Sequence, residues 1–345
     1  MVKVGIIGGT GYVGVELIRL LMNHKEVEIT GISSVSFNGQ DISNIYPNFY
    51  NITSLICTDE DKVIDKSDVI FAALPHGLSE HIAKKALDKN KTCIDMGADF
   101  RLKDEEVYKK WYGKSFDVSE LHGKEVYGLP ELNREKIKET KLVANPGCYA
   151  TSIELALLPL ISKGVICETG IIADSKSGAS GAGRSLTQGT HFTDCNESLS
   201  AYKIGSHRHT PEIEEVLNSA SLDKNVKLIF TPHLLPINRG ILSTIYTTPK
   251  DKVNVTETHK LFAEYYSNEP FVNVLPLGET AKINNVKLSN YCQISLHYDE
   301  DNNKLILISC IDNMIKGAAG QGIQNMNIIL GFDEKEGLNT VPPAF

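Results

Sequence analysis

The first 145 residues alternate short apolar segments with amphipathic helical stretches, and this rhythm constrains the fold more than any other feature. VKVGIIG, VEITGIS, DVIFAAL and TCIDMG have the composition of strands, and helical stretches such as 14–23 and 79–89 lie between them. DVIFAAL is apolar almost throughout, as expected for a parallel strand that is covered on both faces. Units of this kind build a parallel sheet. We therefore predict an α/β fold, with a Rossmann-type doubly wound domain over residues 1–147.

The second half of the chain has a different rhythm. KLIFTPHLLPI, GILSTIYTTP, CQISLHYD and KLILISCID resemble strands, and few long helices separate them. This arrangement favours a mostly antiparallel sheet. We predict an α+β catalytic and oligomerisation domain over residues 148–311. A helical segment within 312–345 is expected to return to the first domain.

Composition excludes several classes of protein. The formal charge of -8, from 43 acidic and 35 basic residues, argues against a nucleic-acid partner. No apolar run approaches the roughly 18 to 20 residues of a membrane helix, and a strand at 2–7 leaves no room for a signal peptide. We expect a cytoplasmic protein without a membrane partner. The seven cysteines are an odd number without a CxxC pair, unlike a disulfide scaffold or a zinc site.

A glycine-rich turn joins the first strand to the first helix. Three of its glycines, Gly8, Gly11 and Gly14, are spaced by three residues, which differs from the usual GxGxxG. Glycine allows a tight turn and lets a pyrophosphate approach the free N–H groups at a helix start. A plain strand-to-helix turn is the alternative. The predicted cofactor-binding residues of this turn are Gly8, Thr10, Gly11, Tyr12, Val13 and Gly14.

The end of the second strand indicates which dinucleotide binds. An NAD site normally has an acidic residue about 20 positions after the glycine turn, to bind the ribose hydroxyls. This chain has Ser33, Ser34 and Ser36 in that region. The missing acid favours NADP, with Ser33 and Ser34 as cofactor-binding residues. No arginine follows to hold the 2′-phosphate, and serine is also typical of an ordinary turn.

Cys148 differs from the other cysteines by its position. It follows a Pro-Gly turn and begins a helical stretch with Ile153, Leu157 and Ile161 on its apolar face. A helix N-terminus lowers the pKa of a thiol, and the thiolate is the reactive form. Asn145 and the first helical amides are placed to polarise a bound carbonyl. We predict that Cys148 is a nucleophile. Most of the other cysteines are expected to be core residues, and Cys195 stays open.

Two histidines flank an arginine immediately before another helix. His207, Arg208 and His209 precede Thr210, which is expected to cap the helix, and Pro211, which is expected to open it. A thiolate nucleophile needs a partner that transfers protons, and this cluster is the richest candidate. The HxH spacing also suggests a metal. We predict no metal site, because no further ligands lie close in sequence.

Seven segments together resemble the N-acetyl-gamma-glutamyl-phosphate reductase family. They are GGTGYVG, ADFRL, YGLPE, NPGCYAT, SGASGAGR, HRHTPEI and KGAAGQGIQNMN, in the order of the family. The resemblance covers residue 4 to about residue 330, and NPGCYAT and HRHTPEI are its most specific parts.

This resemblance implies a reaction in arginine biosynthesis. Cys148 would attack the acyl phosphate of N-acetyl-L-glutamyl 5-phosphate, expel phosphate and form a thioester. Hydride from NADPH would then release N-acetyl-L-glutamate 5-semialdehyde. His209 is the expected acid/base, with His207 in reserve. The family also implies a homo-oligomer, either a dimer or a tetramer.

The resemblance also suggests binding residues for the substrate and for the nicotinamide end of the cofactor. Arginine suits the phosphate and the α-carboxylate of the substrate, because its planar fork binds both groups with paired hydrogen bonds. The predicted substrate-binding residues are Arg101, Asn145, Arg184, His207 and Arg208. Ser177, Gly178 and Asn313 complete the predicted cofactor-binding set.

Three alternatives stay open at this point. An aspartate-semialdehyde dehydrogenase-type reductase would use the same chemistry on a shorter substrate, but the expected glutamine shortly after the cysteine is missing. A non-catalytic NADP-binding sensor would have an unreactive Cys148. A cysteine hydrolase would make no use of the glycine turn.

Overall fold

The computed structural model describes residues 1–344, which divide into two compact units. The first unit consists of residues 1–146 and 318–339, and the second of 147–317 with the tail from residue 340. The first unit begins with β1 Val2–Ile7, α1 Tyr12–Leu21, β2 Val27–Ser33, α2 Ile42–Ile45, β3 Cys57–Thr58, α3 Glu60–Lys66, β4 Val69–Ala72, α4 Ser79–Asp88, β5 Thr92–Asp95, α5 Glu105–Tyr112, β6 Val126–Tyr127, α6 Pro130–Glu139 and β7 Leu142–Ala144.

The sheet of the first unit is parallel, as predicted. Its strand order is β3-β2-β1-β4-β5-β7-β6, and every neighbouring pair runs parallel. All four residues of β4 are buried, which agrees with a strand covered on both faces. The order reverses between β1 and β4, and ligands of such sheets bind where the order reverses. The glycine turn follows β1, so it lies at this reversal.

The second unit contains a mixed sheet. Its elements are α7 Cys148–Ser162, β8 Ile171–Gly178, α8 Phe192–Cys195, β9 Ser200–Ala201, α9 His209–Ala220, β10 Leu228–Leu235, β11 Ile241–Thr247, α10 Val255–Tyr265, β12 Val272–Val274, β13 Cys292–Asp299 and β14 Lys304–Ile311. The strand order is β12-β13-β14-β11-β8-β10-β9. β12 with β13 and β8 with β10 are parallel pairs, and the other neighbours are antiparallel. The prediction of a mostly antiparallel sheet is confirmed.

Helices cover one face of this sheet, and part of the opposite face is exposed. α7 packs against β11 and β14, α9 against β10, and α10 against β13. All residues of α7 from Tyr149 to Ile161 are buried, so it is a core helix rather than the amphipathic helix that its sequence suggested. On the opposite face Ile172, Ile229 and Tyr246 are 39%, 58% and 38% exposed. We call these three residues and the strand surface around them the open face.

The chain returns to the first unit after β14. A π-helical turn spans Ile315–Ala319, and α11 Gly320–Leu330 follows and packs against α6 and α1. The geometric division falls at 146/147 and 317/318, whereas the sequence prediction placed the boundaries at 147/148 and 311/312. The difference arises because the turn at 315 still packs with the second unit. The functional labels of the domains stay predictions.

Candidate active site

The glycine turn after β1 is tighter than any other residue type would allow. Gly8 has a φ of +82°, and a Cβ at that position would lie 2.3 Å from the Ala73 carbonyl oxygen. A Cβ on Gly14 would lie 2.4 Å from the carbonyl oxygen of Gly8. α1 begins at Tyr12, and its N-cap Gly11 makes no side-chain capping bond. This uncapped helix N-terminus follows β1 and fits the pyrophosphate of a dinucleotide.

Buried hydroxyls support this turn from below. The Gly8 N–H donates to Ser33 Oγ at 3.4 Å, and the hydroxyls of Thr10 and Ser34 lie 2.7 Å apart. The Tyr46 hydroxyl donates to the Thr10 carbonyl oxygen at 2.9 Å. These contacts shape the turn whether or not Ser33 and Ser34 also bind a cofactor. Sequence reasoning did not find Tyr46, since it lies 36 residues from its partner.

Two predicted substrate-binding residues of the first unit hold its backbone together. Arg101 donates from Nε to the Asn145 carbonyl oxygen at 2.8 Å and from Nη2 to the Met96 carbonyl oxygen at 3.3 Å. The Asn145 amide donates to the Ala318 carbonyl oxygen and accepts from Asn325 Nδ2, each at 3.2 Å. Arg101 and Asn145 therefore have a structural function that the sequence did not indicate. Their functions toward a substrate stay predictions.

Cys148 is the first residue of α7 in the second unit, as its Pro-Gly context predicted. Gly147 is the N-cap and provides no side chain to the helix start. Cys148 is half-buried, and a Cβ on Gly317 would lie 2.8 Å from its own Cβ. The N–H groups of a first helical turn favour a thiolate at this position.

Tyr149, the residue after Cys148, contacts both predicted histidines. Tyr149 and Tyr202 have their hydroxyl oxygens 3.0 Å apart. Burial, with a further contribution from Cys148, raises the pKa of Tyr202 to about 12, so it stays a neutral hydroxyl. The ring of Tyr149 lies edge-on to His207 and His209, with centroid distances of 5.6 and 6.1 Å. Both imidazoles therefore lie around the ring of Tyr149, and the Cys148 thiol is near enough to the tyrosine hydroxyls to influence the pKa of Tyr202.

The two histidines have different environments. His207 is buried, and its Nδ1 accepts from the His209 backbone N–H at 3.1 Å. Burial lowers the pKa of His207 to about 2, and the positive charges of His209, Lys203 and Arg208 add to this shift. His207 is therefore neutral with its proton on Nε2, and it has no charge to offer an anionic substrate. His209 is half-buried at the start of α9, which supports it as the acid/base.

Lys203 and Arg208 place positive charge near His207. Arg208 is half-buried as the N-cap of α9, and Arg184 is exposed on the chain that follows β8. Partial burial and the charge of Arg208 lower the pKa of Lys203. Lys203 has a φ of +45°. Sequence reasoning missed Lys203, because an isolated lysine in a polar segment has no distinguishing pattern.

The other predicted cofactor residues of the second unit hold a loop in place. Asn313 is 2% exposed, donates to Ser180 Oγ at 2.9 Å and accepts from the Gly240 N–H at 2.7 Å. The Ser177 hydroxyl donates to the Gly178 carbonyl oxygen at 3.0 Å. A Cβ on Gly178 would lie 2.7 Å from the Asn238 carbonyl group. Close backbone approach explains this glycine, and the cofactor contacts of these residues stay predictions.

Within residues 1–344, no group of three or more His, Cys, Asp or Glu side chains is arranged to hold a metal ion. No helix in that same range is both long enough and apolar enough to cross a membrane.

Two family models match the chain. Residues 3–140 match the semialdehyde dehydrogenase NAD binding domain, and residues 148–313 match the semialdehyde dehydrogenase dimerisation domain. Solved structures show the same fold at low identity. Aspartate semialdehyde dehydrogenase II from Vibrio cholerae has a TM-score of 0.74 and 15% identity over 96% of this chain and 98% of that chain. The enzyme with NADP from Candida albicans has a TM-score of 0.70 and 16% identity, with the same coverage.

Curated relatives are much more similar. N-acetyl-gamma-glutamyl-phosphate reductases from Clostridium kluyveri and Clostridium beijerinckii are 64% and 65% identical over 100% of both chains. The protein of that name from Brachyspira hyodysenteriae is 51% identical, also over 100% of both chains. With this identity over its whole length, the chain belongs to the N-acetyl-gamma-glutamyl-phosphate reductase family.

Proposed function

We propose that this protein reduces N-acetyl-L-glutamyl 5-phosphate to N-acetyl-L-glutamate 5-semialdehyde with NADPH, a step in arginine biosynthesis. The observation that carries the proposal is Cys148 at the first position of α7, with the histidine pair around Tyr149. Family membership over the whole chain supports this substrate over the alternatives. The two aspartate semialdehyde dehydrogenases compared above are only 15% and 16% identical to this chain, which supports the fold alone.

In the first half of the reaction the Cys148 thiolate attacks the acyl carbon of the substrate. The bond from that carbon to the phosphate oxygen breaks, phosphate leaves, and a thioester remains on the enzyme. N–H groups at the start of α7 stabilise the oxyanion of the tetrahedral intermediate. Arg184 and Arg208 bind the phosphate and the α-carboxylate, and Lys203 adds positive charge near Arg208.

In the second half the thioester is reduced. When bound, NADPH supplies the hydride. His209 donates a proton to the oxygen of the resulting thiohemiacetal, then removes it as the carbon–sulfur bond breaks and the thiolate is restored. Neutral His207 accepts a hydrogen bond from the backbone N–H of His209, and this bond holds the start of α9 in place.

Two parts of the first unit fit NADP: the glycine turn after β1 and the end of β2. The Gly8–Gly14 turn leaves no room for a Cβ at Gly8 or Gly14 and presents a bare helix start to a pyrophosphate. Ser33 and Ser34, at the end of β2, stand where an acidic residue would favour NAD. We infer that NADP is the cofactor on these grounds.

The reverse reaction tests the function directly. Purified protein is supplied with N-acetyl-L-glutamate 5-semialdehyde, phosphate and NADP⁺, and the absorbance of the reduced cofactor is followed. We expect a kcat/KM about 100-fold or more above that with aspartate semialdehyde, because the substrate pocket must accommodate a longer chain and an acetyl group. Parallel assays with NAD⁺ determine the cofactor. No reduced cofactor from the wild-type protein would refute the assignment.

We further propose that the protein is a homodimer and that its two copies contact each other through the open face. A tetramer would need a second contact surface. Ile172 lies directly between Ile229 and Tyr246 across three neighbouring strands, so the three side chains form one continuous apolar stripe. Beside it Asp174 lies 3.0 Å from both Lys176 and His233. An apolar stripe next to charged groups suits a twofold contact between identical surfaces. The match of this unit to a dimerisation domain supports the proposal.

Ile229→Lys is expected to convert the dimer into monomers at micromolar concentration. Two lysines would be buried at the interface without partners, which raises Kd about 100-fold or more. Size-exclusion chromatography with light scattering measures the mass. Leu222→Lys is the matched control, because Leu222 is 70% exposed in the same unit and is outside the open face. An unchanged mass for Ile229→Lys would exclude this face as the dimer contact.

A further inference from the structure

A buried carboxylate joins the two helices that bear the proposed catalytic residues. Glu212 is completely buried in the first turn of α9, and its Oε1 accepts from the Gly147 N–H at 2.7 Å. Burying a carboxylate is costly unless hydrogen bonds compensate it. A hydrogen bond to a charged group is also stronger than one between neutral groups. The buried carboxylate of Glu212 therefore depends on its hydrogen bonds, and the bond from the Gly147 N–H has a defined geometry.

The two ends of this contact lie next to the proposed reacting groups. Gly147 directly precedes Cys148 and is the N-cap of α7. His209 lies three residues before Glu212 on α9, so their side chains share one face of that helix. α7 and α9 also pack against each other. One hydrogen bond thus connects the start of the helix bearing the thiol with the start of the helix bearing the imidazole.

The helix start at Gly147 needs an external partner to hold it. Glycine has no side chain, and Gly147 makes no side-chain capping bond. A glycine at this position leaves the backbone freer than other residues would. The Glu212 carboxylate supplies the missing constraint from 65 residues away.

We propose that Glu212 is a positioning residue for Cys148. By holding the Gly147 N–H, it fixes the first turn of α7 and the thiol against His209. The inference rests on the proposed function, in which these two residues act on one acyl group. Small errors in the alignment of reacting groups reduce turnover strongly, while substrate binding changes little.

Two uncharged variants of similar volume test this inference. Glu212→Gln keeps an oxygen that can accept from Gly147, and Glu212→Leu does not. Because both remove the charge, their difference isolates the hydrogen bond. We expect kcat of the Gln variant to exceed that of the Leu variant about tenfold, with KM values within about threefold of each other. Glu212→Met provides a second variant without an oxygen if the Leu variant does not fold.

Alkylation of Cys148 by iodoacetamide gives a second readout that does not depend on turnover. Mass spectrometry of the Cys148 peptide, in protein without substrate or cofactor, measures the rate. We expect faster alkylation in Glu212→Gln than in Glu212→Leu, by about threefold or more, because the fixed helix start favours the thiolate. If the wild-type protein shows no turnover, the proposed function fails. The alkylation rates still decide whether Glu212 positions Cys148.

Glu168→Leu is the matched control for the loss of a buried carboxylate. Glu168 is 6% exposed in the same unit, and it accepts from Ser221 Oγ at 2.5 Å and from the Asn225 N–H at 2.9 Å. This variant is expected to lower the melting temperature but to leave kcat per folded molecule and Cys148 alkylation unchanged. Equal kcat and equal alkylation rates in Glu212→Gln and Glu212→Leu would overturn the inference.

Discussion

Cys148→Ser is expected to lower kcat in the reverse assay at least about 1,000-fold. A serine hydroxyl remains protonated at neutral pH, and the start of α7 favours a thiolate far more effectively than an alkoxide. Serine also preserves the volume of the side chain at the half-buried helix start, so the fold should persist. The assay with the semialdehyde, phosphate and NADP⁺ measures the effect, and cofactor binding by the variant is measured separately.

Cys167→Ser is the matched control for this substitution. Cys167 is also half-buried and belongs to the same unit, but it lies beyond the end of α7. Its variant should retain wild-type turnover. Cys148→Ser turnover close to that of Cys167→Ser would contradict the assignment of the nucleophile. Loss of turnover with cofactor binding retained would distinguish lost chemistry from lost folding.

His209→Asn is expected to lower kcat by a factor of about 100 to 10,000, the usual contribution of a general acid/base. Asparagine retains hydrogen-bonding ability near Tyr149 but cannot transfer a proton at neutral pH. The pH profile of kcat provides a second measurement. In the wild-type pH profile, one limb reports the ionisation of the acid/base. That limb should disappear in the profile of His209→Asn, whereas limbs due to other ionising groups should remain.

His207→Asn is the matched variant and is expected to have a smaller effect. His207 is neutral across the working pH range, because burial lowers its pKa to about 2. Asparagine can offer its Oδ1 to the His209 N–H in place of the imidazole Nδ1, so the start of α9 is largely retained and the proposed acid/base is untouched. A larger loss of kcat in His207→Asn than in His209→Asn would reverse the two assignments.

Most of the fold was predictable because its signals are local. Apolar runs of strand length and the glycine turn predicted the parallel sheet, and the second sheet followed from strands with few helices between them. Element ends were less predictable. The first helix begins at Tyr12 rather than at Gly14, and α7 is buried on all sides rather than on one stripe. How many faces of a helix its neighbours cover depends on tertiary packing. The helical spacing of apolar residues in the sequence does not specify it.

The candidate site was only partly predictable for the same reason. The position of Cys148 at a helix start follows from the adjacent Pro-Gly turn, which is a local signal. The contacts of Glu212 with Gly147, of Tyr202 with Tyr149 and of Arg101 with Asn145 connect residues that are 65, 53 and 44 positions apart. No spacing rule along the chain relates such partners. They meet because the sheets and helices bring them together.

The local pattern of residues was therefore sufficient to predict a nucleophile at a helix start and two histidines beside a second helix. Tertiary packing alone gave the two histidines different environments, on which our proposal of His209 as the acid/base rests. His207 is buried against Tyr149 and Phe230 beside three cationic side chains, and this environment keeps it neutral. His209, two residues later, is half-buried. Protonation depends on desolvation and on nearby charge, and both arise only when distant segments of the chain pack together.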